Sequence, residues 1–223
     1  MRKKIKIAIA EDHDLVRQGM VALLKREKGL RLVFDVGNGK ELLDQLKITN
    51  VDVVLLDLNM PIIGGLEALR VITAKYPEVK VIIISMHYED GFISESIGLG
   101  ARGFLPKNVD FERVVDAVFS VYEKGFFIDD KVTKTLLYNM GTKANLKLKS
   151  SVCILTEREN DVLHEICLGK SNLEIANFLG ISVRTVETHK RNLLIKTKRT
   201  NGIGLLVYAI SHGLFTVSRN TLN

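Results

Sequence analysis

VDVVLLDLNMP, residues 51–61, is an apolar run of strand length that ends on an aspartate. A strand with one face in water alternates apolar and polar residues, whereas a strand covered by helices on both faces is apolar nearly throughout. VKVIIIS, residues 79–85, has the same character. Outward from these two, short apolar runs recur at Ile5 to Ala10, Leu30 to Val36 and Gly103 to Leu105, with the central pair bounded as Val51 to Leu56 and Val81 to Ser85. Between the runs, segments near Asp14 to Lys25, Lys40 to Lys47, Leu66 to Tyr76, Asp90 to Leu99 and Asp110 to Lys124 carry apolar residues at three- and four-residue spacing. Five strands alternating with five helices predict an α/β fold, a doubly wound parallel five-stranded sheet. In such a sheet ligands bind beyond the carboxyl ends of the strands.

The charge divides the chain. Lys+Arg against Asp+Glu is 18 to 18 over residues 1–125 and 14 to 8 over 126–223, so the whole net charge of +6 lies in the second half. Lys170 to Arg199 carries seven cations against two anions in a helical pattern, which makes a polyanion such as double-stranded DNA the natural partner. With 223 residues the chain holds two domains of about 100 residues each. The expected boundaries are a first domain over 1–125, a linker with a short helix over 126–152, and an all-α second domain over 153–223. The linker includes GTKANLKLKSS, residues 141–151, which is polar, basic and without a clear period.

No run approaches the ~18 apolar residues of a membrane span. The first apolar stretch is ended by Glu11 and Asp12, too early for a secretory signal. The expected location is the cytosol, with no membrane partner. Cys153 and Cys167 have no CxxC spacing and no histidine at ligand spacing, so they are expected to be core thiols.

The strand ends collect Glu11 and Asp12, Asp57, Ser85 and Lys107 in one pocket. Crowded carboxylates repel unless a cation sits among them or their protonation shifts. Oxygen-only donors at an open site favour a hard ion, and Mg²⁺ fits better than zinc, which would want His or Cys. Asp57 is placed to act as a nucleophile toward a phosphoryl group, with Lys107 pairing to the phosphate oxygens. Taken singly, Asp12 or Asp14 could cap the first helix, Ser85 could end a strand, and Lys107 could be a surface lysine. The set, with each member at a different strand end, points to phosphoryl chemistry.

Residues 4–125 resemble the receiver domain of two-component response regulators. The resemblance is carried by Glu11-Asp12, by Asp57 in LLDLNMP, by Ser85 in IIISMH, and by GFLPK ending at Lys107. It implies phosphorylation of Asp57 by a sensor histidine kinase, and Mg²⁺ held by Asp12, Asp57 and the main-chain carbonyl of Asn59, with Glu11 acting mostly through water. It further implies a switch in which the Ser85 hydroxyl moves toward the phosphoryl group and the Phe104 ring follows inward. Phe104 has a plain core reading beside that one. The chain departs from the common pattern at Glu11, longer than the aspartate many receivers have, and at Pro106, which precedes Lys107 rather than following it.

In the second half, Thr156 with Glu159 and Ser171 with Glu174 form capping boxes that mark helix starts. Residues 172–196 split at Gly180 into a short helix, a tight turn and a longer helix, the signature of a helix-turn-helix. On the wheel of the helix from Ser182 to Thr197, Val186, His189 and Leu193 face the scaffold helix through Ile175, Ala176 and Leu179. Arg184, Glu187, Thr188 and Arg191 lie on the opposite arc as candidate base readers. Lys170, Ser171, Lys190, Lys196, Lys198 and Arg199 suit phosphates, which position without specifying.

LTERENDVL, GKSNLEIANFLGISVRTVETH and RNLLIKTK, within residues 155–214, resemble the LuxR-type DNA-binding domain of NarL/FixJ-class response regulators. The resemblance implies four helices and a homodimer on DNA, formed in part by the last helix, about Gly204 to Ser211, through Leu205, Leu206, Tyr208 and Ala209. The same apolar residues have a second reading as intradomain core. Glu187 departs from the lysine often found there. The expected function is a two-component response regulator: phosphorylation of Asp57 controls dimerisation and sequence-specific DNA binding, and so transcription. It is not expected to be an enzyme beyond intrinsic autophosphorylation and autodephosphorylation. Two rivals are an aspartate-nucleophile phosphatase, which would want an acid where Asn59 stands, and a regulator that binds DNA without phosphorylation.

Overall fold

All five apolar runs form strands and all five intervening segments form helices in the computed structural model, which describes residues 4–136 and 155–215. Cys153 and the stretch 141–151 lie outside the described residues. The order is β1 Ile5–Ala10, α1 Asp14–Leu24, β2 Leu30–Val36, α2 Gly39–Leu46, β3 Val53–Leu56, α3 Gly65–Lys75, β4 Lys80–Ser85, α4 Asp90–Leu99, β5 Gly103–Pro106 and α5 Phe111–Glu123. The chain divides into two compact units, Met1–Tyr122 and Glu123–Asn223.

In the first unit the strands are parallel in the order β2-β1-β3-β4-β5. The order reverses between β1 and β3, so the chain leaves these two neighbouring strands in opposite senses and opens a crevice at their carboxyl ends. The strand interiors are dry: Ile7, Val53, Val54, Leu56, Ile82 and Ile83 have no exposed surface. Each such side chain contributes about 1.5–3 kcal/mol relative to an exposed one. β3 begins at Val53 rather than Val51, because Asp52 enters by pairing with β1 instead of continuing the apolar run. Its amide donates to the Lys6 carbonyl at 2.9 Å, and its carboxylate accepts from the Lys6 amide at 2.8 Å. Neither Asp12 nor Asp14 caps α1; His13 holds the N-cap position without a side-chain bond, and Asp14 sits in the first turn.

The second unit contains a helix α6, described over residues 130–136, then α7 Glu157–Cys167, α8 Asn172–Leu179, α9 Val183–Thr197 and α10 Gly202–Ser211. Its core is Val162, Leu163, Ile166, Ile175, Val186, Leu193, Ile203 and Leu205, all buried. Both predicted capping boxes form in full, at Thr156 with Glu159 and at Ser171 with Glu174. Gly180 ends α8 at φ 64°, a backbone conformation that glycine adopts without steric cost. Among the described residues no helix is long and apolar enough to cross a membrane.

Candidate functional site

β1, β3, β4 and β5 end side by side and deliver Glu11 and Asp12, Asp57, Ser85 and Lys107 to the crevice. Carboxylate oxygens of Glu11, Asp12 and Asp57 lie within 4.8 Å of one another. Glu11 and Asp57 are buried, at 2% and 3% exposure, while Asp12 is open to solvent. Lys107 reaches in between: its Nζ donates to Glu11 Oε1 at 2.8 Å and to Asp57 Oδ2 at 2.9 Å. The Lys107 amide bonds the Ser85 carbonyl at 2.9 Å, so the β4–β5 ladder runs on to the lysine and fixes where its side chain starts.

Three carboxylates against one ammonium leave the cluster short of positive charge. Burial pushes the Glu11 carboxyl above its ordinary value; the hydrogen bond from Lys107 opposes that shift, and the charge of Asp57 adds to it. Burial alone would lower the Lys107 ammonium, but its bonds to Asp57 and Glu11 outweigh that and raise it. The donors are all hard oxygens with an exposed member, so the cluster could hold a hard metal cation. Asn59, whose carbonyl is the fourth expected ligand, lies exposed two residues beyond Asp57.

Two residues that position this cluster go unmarked by motif reasoning. Arg17 on α1 donates to the Glu11 carbonyl at 2.7 Å, pairs with Asp14, and reaches Asp35 of β2 at 3.3 Å, pinning the loop that carries the acidic pair. The only signal is its i,i+3 spacing from Asp14. Gly65 opens α3 so close to β3 that a Cβ there would lie 2.1 Å from the Asp57 carbonyl oxygen. Its amide bonds the Leu58 carbonyl at 2.9 Å, folding the loop after Asp57 back on itself.

Ser85 is buried, and its Oγ accepts from the His87 amide at 3.0 Å. Phe104 has no exposed surface and its ring lies 5.8 Å from that of Tyr88. The resemblance implies a ring that follows the Ser85 hydroxyl inward; here the ring is already inside while the hydroxyl is held by the loop amide.

In the second unit, side-chain bonds fix both ends of the turn between α8 and α9. Ser182 caps α9 through the Thr185 amide at 3.1 Å, and Arg158 of α7 bonds the Leu179 carbonyl at 2.6 Å, fastening the end of α8. Val186 and Leu193 are buried with Ile175 and Ala176, and His189 is half-buried, as the wheel predicts. Arg184, Glu187, Thr188 and Arg191 are all exposed on α9. The Thr188 hydroxyl donates to the Arg184 carbonyl at 3.0 Å, which uses its proton within the helix.

Four of the residues expected to contact phosphates have partners within the unit. Lys170 pairs with Glu165 and stacks its ammonium 3.9 Å over the Phe178 ring. Lys190 bonds Asn172 Oδ1 at 2.8 Å and the Lys124 carbonyl at 3.4 Å. Lys196 bonds Glu159 Oε2 at 2.7 Å, and the Ser171 oxygen accepts the Glu174 amide as a cap. Lys198 and Arg199 are exposed and make no ion pair among the described residues. The dimer expectation is corrected. Leu205 and Ala209 have no exposed surface and Tyr208 only 4%, because their i, i+3, i+4 stripe faces the unit's own core. Of that set only Leu206 is half-exposed. Cys167 is half-buried, and burial pushes its thiol up to about 12, which leaves it inert.

Residues 7–119 match the response regulator receiver domain family, and residues 153–209 match the LuxR family of bacterial regulatory proteins. Over 223 residues the chain is 32% identical to the transcriptional regulatory protein DegU of Brevibacillus brevis, with 94% of each chain covered. It is 33% identical over 215 residues to the oxygen regulatory protein NreC of Staphylococcus carnosus, with 94% of this chain and 99% of that one covered. Among solved structures, the signal receiver domain of a NarL response regulator from Mycobacterium tuberculosis shares 28% identity over 54% of this chain and 97% of its own, with TM-score 0.52. The RcsB response regulator of Salmonella typhimurium, at 24% identity and TM-score 0.57 over 94% of this chain and 99% of its own, shares the fold.

Proposed function

The chain belongs to the NarL/FixJ-class response regulators, which join a receiver domain to a LuxR-type DNA-binding domain, and we propose that a histidine kinase phosphorylates it on Asp57 to control its binding to DNA. The observation that carries this reading is the Lys107 ammonium bridging Asp57 and Glu11 beside Asp12 at the sheet's reversal point. An oxygen of Asp57 attacks the phosphorus, the bond from phosphorus to the donor imidazole breaks, and the imidazole leaves with its electron pair and takes up a proton. Mg²⁺, held by Asp12, Asp57, the Asn59 carbonyl and Glu11 directly or through water, would screen the charges that meet there.

A phosphoryl group brings roughly two negative charges at pH 7 and three acceptor oxygens. Lys107 follows it, and the Ser85 hydroxyl, whose oxygen accepts from the His87 amide, retains a proton to donate to the phosphoryl group, which links that group to the start of the β4–α4 loop. Phe104 is already buried beside this loop's strand before phosphorylation. Downstream, the exposed arc of α9 reads base edges: Arg184 or Arg191 at guanine O6/N7, Glu187 at cytosine N4, Thr188 at a thymine methyl. Lys198 and Arg199 take phosphates. A homodimer joins two half-site contacts into one event, in the cytosol where kinase and DNA are both reached.

The test is intact mass, oligomeric state and gel shift on double-stranded DNA for wild type and Asp57→Ala, with acetyl phosphate and Mg²⁺. Phosphorylation and tighter DNA binding in wild type alone are expected. Equal binding by both proteins under all conditions would instead identify a regulator that works without phosphorylation.

A further inference from the structure

The charges of residues 1–125 cancel in sum, 18 against 18, but not in place. At the carboxyl ends of the strands, the loops 11–13, 37–38, 57–64, 86–89 and 107–110 carry five acids against one cation, Lys107. At the amino ends the sign reverses. Lys4, Lys80 and the loops 25–29, 47–52, 76–79 and 100–102 carry seven cations against three acids, Glu27, Asp52 and Glu78. Helix ends account for two of the seven, since Lys25 and Lys47 stand at the C-caps of α1 and α2, where a cation offsets the helix dipole. Lys4, Arg26, Lys28, Lys80 and Arg102 cap no helix and make no ion pair among the described residues. Burial lowers the Arg102 guanidinium and the Lys80 ammonium from their ordinary values, and the Arg102 charge lowers Lys80 further. Asp52 and Glu78 oppose the shift of Lys80, and Glu78 that of Arg102, without reversing either. This end is short of negative charge, as the crevice is short of positive.

These cations form one rim around the last turns of α5. The Ile5 amide bonds the Gly29 carbonyl at 2.8 Å, which brings Lys4 beside Lys28, and a Cβ at Gly29 would lie 3.3 Å from the Phe119 ring of α5. Further along α5, the Tyr122 ring centroid lies 5.4 Å from the Lys80 ammonium, and the Arg102 amide bonds the carbonyl of Val81, next to Lys80, at 2.7 Å. From β2 to β5 the sheet is about 19 Å wide, a length over which duplex DNA presents about eleven backbone charges. Tyr122 is also the last residue of the first unit, so the chain leaves that unit at its basic end. A duplex bound by the second unit is thereby tethered through the end that attracts phosphates, while the end that repels them lies across the sheet.

We propose that the amino-end rim of the receiver sheet, Arg26 and Lys28 with Lys4, Lys80 and Arg102, is a second, sequence-independent DNA contact that takes the backbone beyond the stretch read by α9; this rests on the DNA-binding reading above. The test measures binding of the full chain to random-sequence duplexes of about 20 base pairs, which two recognition helices cover, and about 50 base pairs, by fluorescence anisotropy across a salt series. Arg26→Gln/Lys28→Gln is compared with Lys40→Gln/Arg70→Gln, which removes the same charge from exposed positions on α2 and α3. Wild type should show a steeper salt slope on the long duplex than on the short one. Arg26→Gln/Lys28→Gln should lose about 1–2 units of that slope, at about 0.9 per phosphate, and roughly tenfold in affinity, on the long duplex only. The control pair should keep both slopes. Equal loss by the two pairs overturns the inference, since net charge alone is then at work, as do equal wild-type slopes on the two duplexes. A fall in solution mass for Arg26→Gln/Lys28→Gln with both DNA slopes unchanged assigns the rim to the acidic crevice of a second copy and likewise overturns it. If wild type binds neither duplex, the DNA-binding reading fails first, and the inference with it.

Discussion

The crevice of the first unit and the exposed arc of α9 are built by opposite means. In the crevice, residues from adjacent strand ends converge until they share hydrogen bonds, so Glu11, Asp57 and Lys107 constrain one another, the two carboxylates buried and the lysine half-buried. On α9, residues from one helix diverge into solvent, and each acts or fails to act according to what its own side chain touches. A convergent site can be read from topology, because parallel strands in a known order place their ends together. A divergent surface cannot, because whether a lysine is available depends on a neighbour 37 positions away, as Lys196 with Glu159 illustrates.

The largest effect breaks the convergent side outright. Asp57→Asn keeps the shape but removes the nucleophile, and phosphorylation by acetyl phosphate should vanish in intact mass, while Lys107 keeps Glu11 as a partner and the fold survives. A surviving modification would place the phosphoacceptor elsewhere in the crevice.

Next comes the backbone on which convergence depends. Gly65→Ala forces a Cβ to 2.1 Å from the Asp57 carbonyl, so something must shift. A cost of about 1–3 kcal/mol or more in urea unfolding is expected, together with slower phosphorylation. Gly180→Ala meets no atom within 4 Å but sits at φ 64°; it should cost about 1–2 kcal/mol from backbone alone and leave phosphorylation untouched. Equal phosphorylation defects would mean that the two units do not separate their functions.

The divergent side is sharpened by comparing Arg191 with Lys196. Arg191→Ala should lose about 1–3 kcal/mol of discrimination between DNA sites. Because Lys196 already serves Glu159, Lys196→Ala should change the salt dependence of binding by clearly less than the ~1 unit of slope that a dedicated phosphate contact gives. It should instead lower the melting temperature of the second unit, since Glu159 is left buried without its cation. A full unit of slope from Lys196 would show that DNA pulls the lysine off Glu159.

The same contrast explains what the sequence discloses. The sheet, its helices and the crevice follow from apolar runs and their spacing, since burial on both faces admits few other residues. Both capping boxes follow from local spacing, since a cap is made within four residues. Arg17 and Gly65 leave no such mark: the first works through a carbonyl, the second through the absence of an atom. The α10 stripe has the composition of either a core or an interface, and only the packing of α10 in its own unit decides that Leu205, Tyr208 and Ala209 belong to the core.

The smallest effect is a pH dependence confined to the second unit. Burial would raise the Glu159 carboxyl, but the bond from Lys196, the Thr156 amide and hydroxyl, and the Lys196 charge together hold it below its ordinary value of 4.5. A carboxyl lowered on folding binds fewer protons in the folded state than in the unfolded one as pH falls past 4.5. Its stabilisation is therefore complete above that value and is lost as pH drops through the lower folded value. Urea unfolding of the second unit across that acid range should fall more steeply for wild type than for Glu159→Gln, which keeps the size but cannot titrate. Glu174 repeats the direction, lowered first by the Ser171 amide, but on an exposed helix start where water weakens the bond. Glu174→Gln should therefore flatten the acid limb less than Glu159→Gln does. If the two variants flatten it equally, burial adds nothing to the cap of α7, and the ion pair with Lys196 is no stronger than a surface contact.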